Sequence, residues 1–340
     1  MIRKDLLMDR MSLEERNKRL HLLIIDEDLD DNLAWLSAGF EHTKMLKEKP
    51  RRLFLMQNGH FQLHYNMVAL SEKEVVSVTR RGVELFDLVK NVPKVLYRTD
   101  ARIYSIDYSP IHSSLCFSTS SGVFVKKGKN GKEITLPLTY DPDELCRSIF
   151  FDTPSSSFVG TCGNFSDQPV FDLSTGKLSF QIPTNGYIND MNFIDSTQTM
   201  LLTGDAGKVM TYDHRSPSSL QEVYFMGGPC FAVKAINDNL IIAAGEANKV
   251  AMIDLRKNAI VQSINHFRSI YAIEVDKERE RVYLLEEAHC FLALDLKEKK
   301  MEAVKTFGFG GSLALSPSKQ KLFLSMTRMP LRGLVEYDVL

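Results

Sequence analysis

A hydrophobic residue followed by aspartate ends one strand-like segment after another along most of this chain. The pairs are Phe86-Asp87, Phe171-Asp172, Tyr212-Asp213, Ile253-Asp254, Leu294-Asp295 and Tyr337-Asp338. From Asp172 to Asp295 successive aspartates are 41 residues apart, and Asp338 follows after 43. The 85 residues between Asp87 and Asp172 fit two units, with a degenerate unit around GVFVKKGKNG. A period of about 40–45 residues indicates a structural unit that is repeated along the chain.

Each unit contains four strand-length runs separated by turn residues. One unit reads GYINDMNFIDS, TQTMLLTGD, GKVMTYDHR and SSLQEVYF, and the next repeats this division as CFAVKAIND, NLIIAAGEA, KVAMIDLR and AIVQSINH. Short runs rich in apolar and β-branched residues, cut by Gly, Asp, Ser and Asn, are typical of strands. The sequence therefore predicts an all-β fold whose four-stranded units are the blades of a propeller.

The number of blades follows from the length of the repetitive part. Residues 51–340 hold seven units of about 41 residues. The final run, LVEYDVL, has the pattern of a third strand, so a fourth strand is missing from the last unit. We therefore expect the strand-like run RRLFLMQ at residues 51–57 to pair with the last blade and close the ring. Closure of this kind removes exposed sheet edges.

The third-strand segments resemble those of WD repeats, in which this strand usually ends in Trp-Asp. Here Phe, Tyr, Ile or Leu stands in place of the tryptophan, and the glycine–histidine pair typical of the family is not evident at the matching places. The resemblance covers residues 51–340 and implies a seven-bladed WD-repeat-like β-propeller that binds other proteins. The departures imply that the family's His–Ser/Thr–Asp–Trp hydrogen-bond network is incomplete in this chain.

Residues 1–50 lack the strand pattern and are predicted to form a short helical arm and a linker ahead of the propeller. Ser12 and Glu15 have the spacing of a capping box, which is a common start of a helix. Apolar residues then recur at helical spacing, at Leu29, Leu33, Leu36 and Phe40. The arm either packs on its own propeller or docks on a partner as a helix in a groove.

Composition limits the classes of partner. Lys and Arg number 42 against 43 Asp and Glu, a net charge of -1, so no overall basic field is available to hold a nucleic acid. No apolar run approaches the roughly 18–20 residues of a membrane span. The LLII run near the start ends in the acidic DEDLDD, which argues against a secretory signal. The five cysteines are scattered singly, as expected of free thiols in a reducing compartment, and we expect a cytoplasmic or nuclear protein.

Motifs for catalysis or cofactor binding are not found. The sequence contains no G-x-G-x-x-G after a strand, no Walker loop, no G-x-S-x-G and no H-E-x-x-H. The glycine-rich GFGGS at residues 308–312 lies where a loop leads into a first strand, with no helix after it to hold a phosphate. Cysteines and histidines show no metal-ligand spacing. We therefore predict that the protein is not an enzyme and uses no cofactor, metal or small-molecule substrate.

Two consecutive blades end their third strands with Asp-x-Arg, at Asp213 and Arg215 and at Asp254 and Arg256. This is similar to the W-D-x-R box of the substrate receptors that dock on the damaged-DNA-binding adaptor of cullin–RING ubiquitin ligases. In that family, the arginines of two adjacent blades lie on one face of the ring and bind the adaptor. The resemblance implies an adaptor-binding role for these four residues. Arginine suits this role because its planar guanidinium makes several directed hydrogen bonds and is weakly hydrated.

Those receptors often add a short N-terminal helix that inserts into the adaptor. The run IRKDLLMDRM is similar in kind, and the resemblance implies that Leu6, Leu7 and Arg10 contact the adaptor. Two alternatives stay open. In the first, Arg215 and Arg256 merely pair with acidic neighbours on the blade edge, and such exposed pairs contribute little to stability. The protein could also be a scaffold in another assembly, in chromatin, RNA processing or trafficking.

A second candidate surface lies near the start of the innermost strands. Tyr104, Phe231 and Tyr271 occupy similar places in their blades, and Asn189 has this place in a fourth. If these side chains face the channel, they form an aromatic-lined site for a partner's peptide, since tyrosine has both apolar area and a polar group. If they point between blades, they belong to the core.

Overall fold

In the computed structural model, the described residues are 41–42, 52–55, 67–79, 82–90, 92–128, 131, 133–137, 147–152, 157–216, 219–246, 249–265, 269–286, 290–305, 310–326 and 333–339. These ranges contain 29 strands in seven sheets. The sheets are numbered as blades 1 to 7 in chain order, and their strands as β1 to β29.

Two short strands precede the first complete blade, β1 (Glu41–His42) and β2 (Arg52–Leu55). Blade 1 comprises β3 (Met67–Ser71), β4 (Glu74–Thr79), β5 (Gly82–Asp87) and β6 (Val92–Arg98). Blade 2 comprises β7 (Ile103–Ser109), β8 (Ser114–Thr119), β9 (Gly122–Lys127) and β10 (Glu133–Leu136). Blade 3 comprises β11 (Arg147–Asp152), β12 (Ser157–Cys162), β13 (Gln168–Asp172) and β14 (Lys177–Ile182).

Blade 4 comprises β15 (Ile188–Ile194), β16 (Thr199–Gly204), β17 (Lys208–Asp213) and β18 (Gln221–Phe225). Blade 5 comprises β19 (Cys230–Ala235), β20 (Leu240–Gly245), β21 (Lys249–Asp254) and β22 (Ala259–Asn265). Blade 6 comprises β23 (Ile270–Asp276), β24 (Arg281–Glu286), β25 (Cys290–Asp295) and β26 (Lys300–Lys305). Blade 7 comprises β27 (Gly310–Leu315), β28 (Lys321–Met326) and β29 (Gly333–Asp338).

The blades form a closed ring. Within each blade the strands pair antiparallel in chain order, and the first strand is the innermost. Each first strand contacts the first strand of the next blade, from β3 to β27, and β27 contacts β3 in turn. The predicted all-β fold and its seven blades are therefore confirmed.

Blade 7 receives its outer strand from the other end of the chain. β2 pairs antiparallel with β29, with Arg52 opposite Glu336 and Leu55 opposite Gly333. The seam between blades 7 and 1 has further polar contacts. The Glu72 carboxylate accepts hydrogen bonds from the Ser318 backbone N–H at 3.1 Å and its hydroxyl at 2.7 Å. Backbone pairing with β2 thus completes the last blade, and side chains join it to the first.

The predicted helical arm at residues 1–50 lies outside the described residues apart from Glu41 and His42. These two residues are a strand and not part of a helix or linker. β1 runs parallel to β26, with Glu41 opposite Lys300 and His42 opposite Met301, and gives blade 6 a fifth strand. The outer edge of a blade offers unpaired N–H and C=O groups, and pairing satisfies them. The boundary at residue 50 stays a prediction.

The core lies between the blades. Each sheet packs on a neighbour with both faces, so the middle strands are apolar almost throughout. In β20 (LIIAAG), for example, every residue after Leu240 is buried. One cluster joins blades 5 and 6 through Ile242, Val250, Ile273 and Leu292. The residue before the repeated aspartate is buried in five blades, as Phe171, Tyr212, Ile253, Leu294 and Tyr337. Apolar packing therefore occupies the place of the WD-repeat tryptophan.

The repeated aspartate itself caps the turn between the third and fourth strands. In blade 1 the Asp87 carboxylate accepts the backbone N–H of Val89 and Lys90, both at 3.0 Å. The same bond recurs from Ser174 to Asp172, from Arg215 to Asp213, from Arg256 to Asp254 and from Glu298 to Asp295. Asp side chains stabilise turns by accepting backbone N–H groups two or three residues ahead. The 41-residue period is therefore the spacing between the aspartates that cap these turns.

Candidate protein-interaction sites

The strands of a blade alternate in direction, so its turns are divided between the two faces of the ring. One face carries the turns between first and second strands and between third and fourth strands. We name it the Asp-x-Arg face, after Asp213 and Arg215 in blade 4 and Asp254 and Arg256 in blade 5. The first strands begin at the opposite end of the channel. We name that end the channel mouth, and define it by Tyr104, Asn189, Phe231 and Tyr271.

On the Asp-x-Arg face, Arg215 forms a two-pronged ion pair with the aspartate of its own turn. Its Nε donates to Asp213 Oδ1 at 2.9 Å, and its Nη2 donates to Asp213 Oδ2 at 2.6 Å. Nη2 also donates to the Thr197 carbonyl at 3.0 Å. The Arg215 side chain nevertheless remains 59% exposed. The guanidinium is thus held in one orientation at the surface.

Arg256 repeats this arrangement one blade further on. Its Nε donates to Asp254 Oδ1 at 3.3 Å and its Nη2 to Asp254 Oδ2 at 3.0 Å, with 67% of the side chain exposed. Beside it lies an open cavity of about 510 Å³. The cavity is also lined by Asn237, Asp238, Asn239, Leu240 and the exposed Val261. A partner would therefore meet both a cation and apolar surface in blade 5.

Both aspartates of these pairs stay ionised well into the acid range. Hydrogen bonding by the Arg215 side chain lowers the pKa of Asp213 from its ordinary 3.8 to about 2. The Arg256 side chain likewise lowers the pKa of Asp254. In return, the hydrogen bonds to Asp213 and Asp254 raise the pKa of both arginines. At neutral pH the two pairs are fully charged.

The equivalent turns of the flanking blades keep the capping aspartate but not the arginine. In blade 3, the Ser174 hydroxyl bonds Asp172 at 2.6 Å. In blade 6, Lys297 takes the place of the arginine, and Asp295 pairs instead with Arg281 at 3.4 Å. Among the described turns, the two-pronged pair thus belongs to blades 4 and 5. Both arginines thus pair with an acidic neighbour, as in the alternative that the sequence left open, and the adaptor-binding role stays a prediction.

The Arg215 turn is further held by the residue between aspartate and arginine. His214 stacks on Phe180 of blade 3, with ring centroids 5.6 Å apart and planes at 17°. Phe158 lies 6.3 Å from the same imidazole. The turn of blade 4 is therefore packed against blade 3.

The predicted adaptor contacts Leu6, Leu7 and Arg10 lie outside the described residues. The direction of β1 bears on where the arm meets the propeller. β1 is parallel to β26, and Glu41 is in register with Lys300, the first residue after the third turn of blade 6. That turn lies on the Asp-x-Arg face. β1 itself therefore begins on the side of the ring on which Arg215 and Arg256 lie.

At the channel mouth, the four predicted residues share one backbone feature. Each is the second residue of a first strand, and the pairing register with the second strand shifts at that residue. The shift is a β-bulge, which redirects a side chain. The sequence prediction that Tyr104, Asn189, Phe231 and Tyr271 are equivalent thus holds at the level of the backbone.

Their side chains differ in surroundings. Phe231 and Tyr271 lie together, half-buried, with ring centroids 5.4 Å apart. Tyr104 is buried, with the Arg102 guanidinium 5.5 Å from its ring centre. Asn189 donates to the Asp205 carboxylate at 2.8 Å and to the Cys230 carbonyl at 3.0 Å, which ties blade 4 to blade 5. The structure therefore brings Phe231 and Tyr271 together as one aromatic surface, while Asn189 has structural partners.

Sequence reasoning missed a set of charged residues along the channel. They are Asp107, Arg147, Asp190, Lys234 and Glu274 on first strands, and Lys319 in the first turn of blade 7. Arg147 forms an ion pair with the fully buried Asp190, which also accepts the Val233 N–H at 3.0 Å. A signal was present in the sequence, since Asp107, Lys234 and Glu274 are all fifth in their first strands.

Burial dominates the ionisation of two of these acids. It raises the pKa of Asp190, against the lowering effect of Arg147 and Lys234. It also raises the pKa of Glu274, with a smaller contribution in the same direction from Asp107. The cations Lys234, Lys319 and Arg147 act against this rise.

No group of three or more His, Cys, Asp or Glu side chains suited to a metal ion occurs in the described part of the chain. Nor does any helix there have the length and apolar character needed to cross a membrane.

Several solved structures share this fold. The WD40 β-propeller domain of Doa1 superposes with a TM-score of 0.68 at 13% identity, covering 84% of this chain and 97% of that one. A chain of the mitotic checkpoint complex gives 0.73 at 12% identity, with 92% and 97% covered. The WD40 repeats of RRP9 give 0.70 at 11%, with 84% and 96% covered. No family model matches the chain, and no curated protein is similar to it in sequence. The fold is thus that of WD40 β-propeller domains.

Proposed function

We propose that this propeller is a non-catalytic protein-interaction module, and that its Asp-x-Arg face is a docking surface. The observation that carries the proposal is the pair of exposed, two-pronged Arg–Asp contacts on adjacent blades. They are absent from the equivalent turns of blades 3 and 6, so they are not required to form the turn.

The geometry favours binding because the arginines are already ordered. In both, Nε and Nη2 bond the aspartate, while no hydrogen bond to Nη1 occurs among the described residues. Nη1 therefore keeps its two N–H donors for an acceptor on a partner. Ordering a long side chain on binding costs about 0.5–1.5 kcal/mol. Because the aspartates already hold both side chains in the free protein, most of this ordering cost does not arise on binding.

The specific form of the proposal is a substrate receptor that docks on the adaptor of a cullin–RING ubiquitin ligase. The Asp-x-Arg box supports it, and so does the start of β1 on the same face. Leu6, Leu7 and Arg10 would then contact the adaptor beside the two arginines. The channel mouth, on the opposite side, would remain open for a target, with Phe231 and Tyr271 as its aromatic surface. We place such a protein in the cytoplasm or the nucleus.

The alternative is a scaffold in another multiprotein complex. One propeller of similar fold comes from the mitotic checkpoint complex. In that case the Asp-x-Arg face would bind a different protein, and the arm would serve only its own propeller.

The test is affinity purification of the tagged full chain, with its partners identified by mass spectrometry. Arg215→Ala combined with Arg256→Ala removes both guanidiniums. The matched control is Lys257→Ala with Lys297→Ala, which removes two exposed cations from the same face. We expect the ligase adaptor with the wild type and the control, and its loss from the double-arginine variant.

Two other outcomes contradict the proposal in different ways. If a different complex is recovered and is lost from the double-arginine variant, the docking face stands and the ligase role fails. If every partner is retained by that variant, the docking face itself is wrong. Circular dichroism of each variant shows whether the ring is intact.

A further inference from the structure

The charged residues along the channel alternate in sign from blade to blade. In ring order they are Asp107 in blade 2, Arg147 in blade 3, Asp190 in blade 4, Lys234 in blade 5, Glu274 in blade 6 and Lys319 in blade 7. We name these six residues the channel charge network. Blade 1 has the uncharged Ser71 in the fifth position of its first strand.

Interactions between neighbouring members connect most of the network. Arg147 and Asp190 form an ion pair, and Asp190 also interacts electrostatically with Lys234. Glu274 interacts with Lys234 on one side and with Lys319 on the other. Opposite charges therefore stand on adjoining blades from blade 3 to blade 7, and the first strands of these blades contact one another. Asp107 raises the pKa of Glu274 and Arg147 lowers it, so both affect the same carboxyl group.

Backbone contacts bind the same residues into the ring. Asp190 of blade 4 accepts the Val233 N–H, and Asn192 accepts the Ala235 N–H, both at 3.0 Å from blade 5. These N–H groups lie on the inner edge of β19, which has no further strand to pair with. At the other end, Arg279 of blade 6 donates to the Lys319 carbonyl in blade 7. Charged and polar side chains thus bridge gaps where strand pairing stops.

We propose that the channel charge network ties neighbouring blades together where strand pairing stops. Alternation is the essential property, since every acid then has a cation on the adjoining blade. The inference concerns how the ring is held, and it is independent of the proposed docking function.

The order of charges can be tested apart from their number. Lys234→Met and Glu274→Gln each remove one charge with little change of size. We expect both to lower Tm, and Lys234→Met to lower it more, because Lys234 serves Asp190 as well as Glu274. Lys208→Met is the matched control, since the Lys208–Glu222 pair at 2.9 Å is about half-exposed on both sides.

The decisive variant exchanges the charges, as Lys234→Glu with Glu274→Lys. The exchange keeps the net charge and leaves opposite charges on blades 5 and 6, but it places Glu on the blade next to Asp190 and Lys on the blade next to Lys319. We expect a Tm below that of the wild type and faster hydrogen exchange in β15, β19 and β23. If the exchanged variant keeps the wild-type Tm, the order of the charges around the ring does not matter. If the single variants lower Tm no more than Lys208→Met does, the network does not hold the ring. Either result overturns the proposal, and the single variants decide it if the exchanged one fails to fold.

Discussion

The Asp-x-Arg face and the channel charge network both combine arginine or lysine with acids, yet they differ in their exposure to solvent. Arg215 and Arg256 are more than half exposed, whereas Asp190 is fully buried beside an Arg147 that is 12% exposed. An exposed pair gains little for folding, because solvent competes for both partners. A buried ion pair adds little stability compared with an apolar pair of similar size, but removing one partner leaves a buried charge without a counter-charge. The same chemistry therefore serves binding on one surface and cohesion inside the ring.

The largest effect expected from this difference is on the channel side. Arg147→Met leaves the Asp190 carboxylate buried without its main counter-charge. We expect the free energy of unfolding to fall by about 3 kcal/mol, measured by urea denaturation. Asp190→Asn added to Arg147→Met removes the stranded charge, so the double variant should recover part of the loss. Equal stability of Arg147→Met and Lys208→Met would show that burial does not distinguish the two kinds of pair.

An intermediate effect is expected at the turn caps. Asp172→Ala in blade 3 removes the acceptor of the Ser174 N–H and hydroxyl, both at 2.6 Å. The variant should lose about 1 kcal/mol of unfolding free energy. Asp172→Asn keeps an acceptor oxygen and should lose less. If the two variants are equally unstable, the cap depends on charge and not on the hydrogen bond.

The smallest effect on stability is expected for Arg215→Ala, because its pair is exposed. Its clear signature is the pKa of Asp213, which should rise from about 2 toward its ordinary 3.8. The lowered pKa means that the pair stabilises the fold above the unfolded pKa of Asp, and that this contribution disappears as the pH falls toward 2. Carboxyl NMR of the wild type and the variant measures the shift directly. An unchanged pKa would mean that the backbone N–H bond alone lowers it.

Particular residues show how far sequence reasoning reached. The spacing of Asp87, Asp172 and their successors predicted the blades, because a turn cap repeats with its blade. The Asp-x-Arg motif located Arg215 and Arg256 because Asp and Arg are two residues apart and their contact is local. By contrast, Asn189 was grouped with the aromatic residues of the mouth, although its amide holds Asp205 and the Cys230 carbonyl. Those partners come from 16 and 41 residues away, beyond what a local pattern can indicate.

The sequence by itself determined the repeat, the number of blades and the turn caps, since each of these depends on residues within one unit. It also placed the two arginines one blade apart. Only the tertiary structure decided what becomes of the charges on the first strands. Asp107, Arg147, Asp190, Lys234, Glu274 and Lys319 are far apart along the chain and meet because the ring closes around one axis. The energy of a charge depends on its exposure to water more than on the residue's type, and only the closed ring determines that exposure.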